Sequence, residues 1–516
     1  MIDLTDKKLS LDTLRDIIFN NREISINSVS SARVNDSFNF LEKFARDKLI
    51  YGINTGLGPM TQYRINDNDL KSLQYNLIRS HSAGCGNPIS APYVRASMLA
   101  RLNSVVKGFS GINAEAVEML QTLINKNIIP YIPEHGGVGA SGDLVQLSHL
   151  ALVMIGEGEV FFENEKKPTS EVFKKLGIKP VPVHIREGLS LINGTSVMTG
   201  IGIINLIYAK NIINWMIIAA SMLSEIVSSY DDYFSPELNR VKLHKGQRDI
   251  ASLLTGILKG SGLIKKRSEH LYNKKVEEEV IEEKVQEYYS IRCIPQILGP
   301  ILDTIRYAEQ IVLDEFESVS DNPIVDMDNN NVFHGGNFHG DYISLEMDKI
   351  KIAIAKLSLV SERHINYLMN NNLNKKLPPF VNLGTLGLNL GMQGVQFTAV
   401  STAAENQTLS FPMYIHTIPN NNDNQDIVSM GTNSALIAKK VIENSYEVMT
   451  IEFMSLVQAV DYLKVEDKLS PFNRKIYTDI RGIVPVFKED TAKYQSIEAL
   501  KSYLLNTFPE IGGDLL

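Results

Sequence analysis

The chain has 516 residues, of which 59 are acidic and 51 basic, and 44% are hydrophobic. The hydrophobic share lies in the globular range and the length allows two or three packed regions. The acidic balance, with no arginine- or lysine-rich arm and no basic stripe interleaved with aromatics, argues against a nucleic-acid partner. Two cysteines, Cys85 and Cys293, are too few for a disulfide framework or a Cys-rich zinc site and suit a reducing compartment.

The first residues, Met1-Ile2-Asp3-Leu4-Thr5-Asp6, have neither the basic nor the apolar stretch of a signal peptide, so a cytoplasmic protein is expected. Ser10 followed by Leu14, Ile17 and Ile18 predicts a capped amphipathic helix, and short helices broken by Gly/Asn loops continue to about residue 125. Val160-Phe161-Phe162 running into Glu163-Asn164-Glu165 predicts a strand and a polar turn. The uncharged run from Gly188 to Ala209 has the length of a membrane span, but Ser190, Asn193, Thr195, Ser196 and Thr199 fall inside it; a buried helix entered through a polar loop is the expectation, with no membrane partner.

Beyond Asn193 the pattern changes to long helices, over 205–228, 343–369 and 432–463. In the last, Ile437, Val441, Val448 and Ile451 form one stripe that Ile442, Met449, Phe453 and Leu456 widen, the face of a helix packed on several neighbours. The mixed charge run from Lys265 to Lys284, with Glu277, Glu278 and Glu279, reads as a solvated loop or surface helix. A small hairpin is expected to join Ile324-Val325 to Val332-Phe333 across Asp328-Asn329-Asn330. The fold class is therefore mainly α, an elongated long-helix bundle with a smaller mixed N-terminal region. Its expected divisions are 1–195, 196–465 for the bundle, and 466–516 for a C-terminal helical tail.

The most informative stretch is Glu134-His135-Gly136-Gly137-Val138-Gly139-Ala140-Ser141-Gly142-Asp143-Leu144. Gly137-x-Gly139-x-x-Gly142, with Glu163 about 20 residues further on, matches a dinucleotide fingerprint. Against that reading, Pro130 and Pro133 stand where a central parallel strand should be, and the later chain does not alternate strand with helix. The second reading is chemical. If a tight turn brings the Gly142 nitrogen onto the Ala140 carbonyl carbon, cyclisation with loss of two waters leaves a methylidene group derived from Ser141. Glycine admits the close approach, serine supplies the carbon and the departing hydroxyl, and alanine stays clear. A helix opened by Asp143 would aim its N-terminal amides at the ring. The tripeptide alone is weak evidence, because a chain of this length meets it by chance fairly often.

Its surroundings carry more weight. Tyr51-Gly52-Ile53-Asn54-Thr55-Gly56, Ser80-His81-Ser82-Ala83-Gly84, Gly139-Ala140-Ser141-Gly142-Asp143-Leu144, Asn193-Gly194-Thr195, Tyr289-Ser290-Ile291-Arg292, Gly335-Gly336-Asn337-Phe338-His339 and Asn424-Gln425-Asp426 together resemble the histidine/phenylalanine/tyrosine ammonia-lyase family, and most nearly its bacterial tyrosine-active members. The resemblance runs from about Leu9 to about Leu463. It implies the helical ammonia-lyase/aspartase-like fold, and a homotetramer whose active sites each draw on three subunits. It also implies a methylideneimidazolone prosthetic group formed from Ala140-Ser141-Gly142, with no metal and no diffusible coenzyme.

By the same resemblance, Tyr51 is the base that removes the β-proton. Arg292 grips the substrate carboxylate in a two-pronged contact. Asn193, Gln286 and Tyr289 order the hydrogen bonds of the prosthetic group, and Phe338 packs on the ring system. His81 stands where tyrosine- and histidine-active members have a histidine; a site built around its hydrogen bond rejects an analogue lacking the hydroxyl by as much as ~10⁴. At Gln425 histidine-active relatives usually have a carboxylate, suited to an imidazole, whereas this neutral amide matches phenylalanine- and tyrosine-active members. The two positions together point to L-tyrosine and trans-4-hydroxycinnamate (p-coumarate), with a histidine ammonia-lyase or a tyrosine 2,3-aminomutase as the alternatives. Gln146 departs from the family pattern, where proline is common.

Overall fold

A computed structural model of the chain describes residues 1–5, 7–272, 279–281 and 284–512. Asp6, Glu277 and Glu278 lie outside the described residues. The fold is mainly α, with 58% of the chain helical.

The early helices form where polarity and capping direct them. Ser10 caps Leu11–Phe19 by accepting from the Thr13 N–H, and the helix buries Leu11, Leu14, Ile17 and Ile18. Helices Ser28–Phe44, Leu70–His81, Ala91–Val105 and Ala114–Asn125 follow. Strands Glu159–Phe162 and Glu165–Pro168 form the hairpin expected at Val160, and Ile129–Pro130 pairs on its other edge. Its two turn residues, Glu163 and Asn164, sit at φ of 54° and 63°, the left-handed pair that matches strand twist in a tight hairpin. The second expected hairpin joins Ile324–Asp326 to Asn331–Phe333 with Ile324 opposite Phe333. A further pair, Cys85–Pro88 against Pro133–His135, has no sequence signal because two of its residues are prolines and its hydrogen bonds are few.

The long helices are Ser196–Val227, Ile294–Phe316, Asp341–Met369 and Gly431–Leu463. The first begins at Ser196, upstream of the expected 205, because its leading amides find an acceptor in Asp143. Ile294–Phe316 went unread in the sequence, where Pro295, Gly299 and Pro300 interrupt the period. Ser196–Val227 is long and apolar enough to cross a membrane, yet 83% of its most apolar window is buried inside the fold. A helix apolar on all sides and enclosed by neighbours is a core helix.

The chain divides into two compact units, each visited several times: 1–207, 308–348 and 412–439 in one, and 208–307, 349–411 and 440–516 in the other. These units interleave along the chain and pass through the interiors of the long helices, whereas the divisions at 195/196 and 465/466 follow chain order. Within the second unit the Trp215 indole stacks edge-on to Phe453 at 5.4 Å and donates to the Leu504 carbonyl at 2.9 Å. The C-terminal helix Tyr494–Asn506 is thereby packed into that unit, and Pro471–Arg481 is tied to it by Asn473 Nδ2, which donates to Ser221 Oγ at 3.0 Å and to the Glu225 carboxylate at 2.6 Å.

Candidate active site

The turn at 140–142 is made by close backbone contact. Gly142 has φ +73°, and a Cβ there would meet the Gly194 carbonyl oxygen at 2.0 Å. Only glycine fits. Gly142 bridges Gly194, and the Asp143 N–H donates to the Gly194 carbonyl at 2.8 Å. Two side-chain amides then converge on Ser141: Asn193 Nδ2 donates to its carbonyl at 3.0 Å, and Gln425 Nε2 to its hydroxyl at 2.7 Å. Asn193 is buried, and its Oδ1 has no hydrogen-bond partner among the described residues.

Asp143 holds this arrangement. Its fully buried carboxylate accepts from the Val197 and Met198 N–H groups at 2.8 and 2.9 Å and from the Thr432 hydroxyl. It was expected to open the helix Leu144–Met154; that helix does follow it, but the Asp143 side chain makes no cap bond there and instead caps Ser196–Val227. Burial pushes its pKa up to about 6, opposed by the Thr432, Met198 and Val197 donors. The opposite strand of the contact is held by two buried arginines. Arg101 donates to the Asn193 carbonyl at 2.8 Å and to the Ser190 carbonyl, while Arg186 pairs with the buried Asp321 at 3.1 Å and reaches Ser190 Oγ at 2.6 Å. Gln146, the departure from the family pattern, is buried and donates to the Glu134 carbonyl at 3.2 Å, so an amide tie stands at that position.

A cavity of about 390 Å³ opens beside Ser141, within the first compact unit. Its lining brings together Tyr51, His81, Ser141, Asn193 and Gln425, with apolar walls from Leu57, Leu77 and Leu189. Tyr51 reaches it from a compact loop. Asn54 Oδ1 accepts from the Ile50 N–H, Asn54 Nδ2 donates to the Lys48 carbonyl, and Gln74 ties the Gly52 carbonyl to the Leu189 N–H. Burial pushes the Tyr51 phenol above its ordinary pKa, and a backbone hydrogen bond from Gly58 opposes that shift. His81 ends the helix Leu70–His81, and its Nδ1 lies 3.0 Å from the Leu77 carbonyl and 3.0 Å from the Ser80 hydroxyl. A carbonyl only accepts, so Nδ1 carries the proton and Nε2 presents the lone pair of the neutral ring. Gln425 is set by paired backbone bonds with Asn420 around a turn in which Asn421, Asn422 and Asp423 all have positive φ; short polar residues tolerate that conformation.

Six expected site residues do not line this cavity: Ala140 and Gly142 flank Ser141 in the turn, and four others come from elsewhere in the chain. Phe338 is half-buried elsewhere in the first unit, while Gln286, Tyr289 and Arg292 belong to the second. Tyr289 is 70% exposed, and the Arg292 guanidinium lies over its ring at 4.7 Å and donates to the Glu287 carbonyl. The sequence alone does not single out Thr432, Arg101, Arg186 or His149, whose Nε2 accepts from the Gly84 N–H at 3.2 Å. Buried polar residues scattered along helices carry no local signal of the loop they hold.

Comparison with known proteins identifies the family. The profile described as aromatic amino acid lyase matches residues 9–482. The histidine ammonia-lyase of Bacillus subtilis is 38% identical over 98% of this chain and 96% of its own, and the tyrosine 2,3-aminomutase of Chondromyces crocatus is 36% identical over 90% and 87%. The crystal structure of tyrosine aminomutase from Streptomyces globisporus superposes with a TM-score of 0.94 at 34% identity, covering 98% of this chain and 96% of that one. The chain belongs to the aromatic amino acid lyase family of enzymes, and overall similarity to histidine- and tyrosine-named relatives leaves the amino acid to be argued from the site.

Asp143→Asn can keep every donor satisfied, with its amide oxygen on the two helix amides and its nitrogen facing a rotated Thr432 hydroxyl; Asp143→Ala strands all of them at about 1–3 kcal/mol each. We expect the asparagine variant to fold and the alanine variant to lose several degrees of melting temperature. The carboxyl is protonated more readily in the folded chain than in the unfolded one, where its pKa is near the usual 3.8. Its contribution to stability is therefore greatest at low pH and declines as pH rises through about 6. Wild type should gain stability relative to Asp143→Asn between pH 7.5 and 5; a pH-independent difference would contradict the burial of this charge.

Proposed function

We propose that this protein eliminates ammonia from L-tyrosine to give trans-4-hydroxycinnamate. The observation that carries the proposal is that His81, Gln425, Tyr51 and Ser141 line one cavity. His81 presents an acceptor nitrogen, which a substrate phenol can satisfy by donating. Gln425 spends its amide N–H on Ser141 and brings no carboxylate to face a charged imidazole ring. Phenylalanine would leave the His81 lone pair without a donor, a loss that makes the site discriminate against it.

The turn suits a prosthetic group made from its own backbone: Gly142 is pressed on Gly194, Asn193 and Gln425 donate to Ser141, and the buried Asn193 Oδ1 has an unused acceptor position. Cyclised as methylideneimidazolone, Ala140-Ser141-Gly142 would supply an electrophilic carbon that makes the substrate nitrogen a better leaving group. Tyr51 takes the β-proton. Its burial favours the protonated phenol, so the fraction present as active base grows with pH. Arg292 binds the carboxylate, Asn193, Gln286 and Tyr289 order the polar contacts around Ser141, and Phe338 packs on the substrate or prosthetic ring. Since Gln286, Tyr289, Arg292 and Phe338 stand outside the cavity, a homotetramer with active sites shared between subunits is part of the proposal, as are a cytoplasmic location and a reaction that needs neither metal nor diffusible coenzyme.

Two readings compete. The similarity to histidine ammonia-lyases favours urocanate formation, and the similarity to tyrosine aminomutases favours return of the amine to the β-carbon. Purified protein incubated separately with tyrosine, histidine and phenylalanine distinguishes them: 4-hydroxycinnamate from tyrosine is expected, urocanate as main product would transfer the assignment to histidine, and β-tyrosine would make the protein a mutase. Tyr51→Phe should lower kcat at least 100-fold, in line with loss of a general base, without altering the fold. Wild-type kcat/KM should rise with pH through the alkaline range, because a base whose pKa is raised becomes active only when deprotonated. A flat alkaline profile would remove Tyr51 from that role. His81→Phe should shift preference toward phenylalanine, and an unchanged tyrosine-to-phenylalanine ratio would contradict the hydrogen-bond account of the pocket.

A further inference from the structure

The second compact unit contains a buried ionisable pair that the reaction above does not use. His364, on Asp341–Met369, and Glu452, on Gly431–Leu463, are both fully buried, with His364 Nδ1 2.6 Å from Glu452 Oε1. The other carboxylate oxygen, Oε2, accepts from the Ser361 hydroxyl at 2.5 Å, and Ser361 is also fully buried. The other ring nitrogen, Nε2, lies 2.6 Å from the Ser290 carbonyl. Ser290 is part of the one-turn helix Tyr289–Arg292, which carries two of the expected site residues.

We infer that His364 and Glu452 are positioning residues that clamp the Tyr289–Arg292 turn through the Ser290 carbonyl, and so hold Arg292 in place for the substrate carboxylate. Proton accounting makes the clamp one-directional. The Ser290 carbonyl only accepts, so Nε2 must carry a hydrogen. One further proton lies between Nδ1 and Glu452 Oε1. Whether it sits on nitrogen, giving imidazolium and carboxylate, or on oxygen, giving imidazole and carboxylic acid, Nε2–H still points at Ser290. The 2.6 Å contact of Nε2 with the Ser290 carbonyl thus excludes the neutral tautomer that would turn a lone pair on that carbonyl.

The geometry also explains why so costly a pair sits there. Other ties on the segment each involve the Glu287 backbone: Arg292 Nε reaches the Glu287 carbonyl at 3.0 Å, and the Glu287 N–H reaches the Tyr233 hydroxyl at 3.0 Å. A four-residue helix has too few internal bonds to fix its own orientation. The His364 contact supplies a charge-assisted or strongly polarised bond from two long helices to its middle.

The inference rests on the proposed role of Arg292, and the test separates the two. It compares binding of 4-hydroxycinnamate with binding of 4-vinylphenol, which has the same ring and double bond but no carboxylate, by titration calorimetry; should the protein act on histidine, urocanate and 4-vinylimidazole replace them. His364→Leu with Glu452→Leu removes the clamp without stranding a buried charge, an exchange that proteins often tolerate. This double variant should weaken 4-hydroxycinnamate about tenfold while 4-vinylphenol is little changed. Glu452→Gln should retain the wild-type ratio, because its amide can donate to Nδ1, keep Nε2–H on Ser290 and still accept from Ser361. Arg292→Ala serves as the reference: if it leaves the ratio unaltered, the proposed carboxylate contact itself fails. If it changes the ratio and the double variant does not, or if both ligands weaken equally in the double variant, the clamp is refuted.

Discussion

The site depends on the approach of two backbone stretches that only glycine permits, held shut by one buried carboxylate. Gly142 lies against Gly194 with no room for a Cβ, and Asp143, next in sequence, fastens the turn to the first amides of Ser196–Val227 and to Thr432. An unpaired carboxylate at this depth would be prohibitive. Its three donors come from two long helices, so the geometry of the turn follows from the packing of the core. The buried Arg101 and Arg186, sharing Asp321, do the equivalent for the facing strand.

Around that contact the chain separates rigidity from recognition. Ser141 and Asn193 are set by buried structure. Tyr51, His81 and Gln425 reach the same cavity from a compact loop, a helix end and a turn of left-handed residues, respectively. Such placements suit groups that must meet different substrates on one scaffold.

Much of the fold was legible in the sequence because its long helices are apolar at three- and four-residue spacing, and both hairpins carried turn residues with a physical reason to be there. The dinucleotide fingerprint was correctly set aside on Pro130 and Pro133, which lie in short antiparallel strands. Ile294–Phe316 escaped because tertiary packing overrides the two prolines near its start. The candidate residues around Ser141 were visible through motifs, and the cavity brings five of them together. Asp143 was recognised, but its partner was not: a carboxylate capping a helix more than fifty residues downstream follows from topology. The same holds for His364 and Glu452, which are joined by helix packing alone.

The central claim is that the backbone at Ala140-Ser141-Gly142 closes on itself. Intact-mass and peptide mass spectrometry of freshly purified protein tests it most directly. The account predicts a chain lighter than its sequence by two waters, with the deficit confined to the peptide holding residues 140–142 and absent from Ser141→Ala. A catalytically active protein with the full sequence mass at that peptide would contradict it.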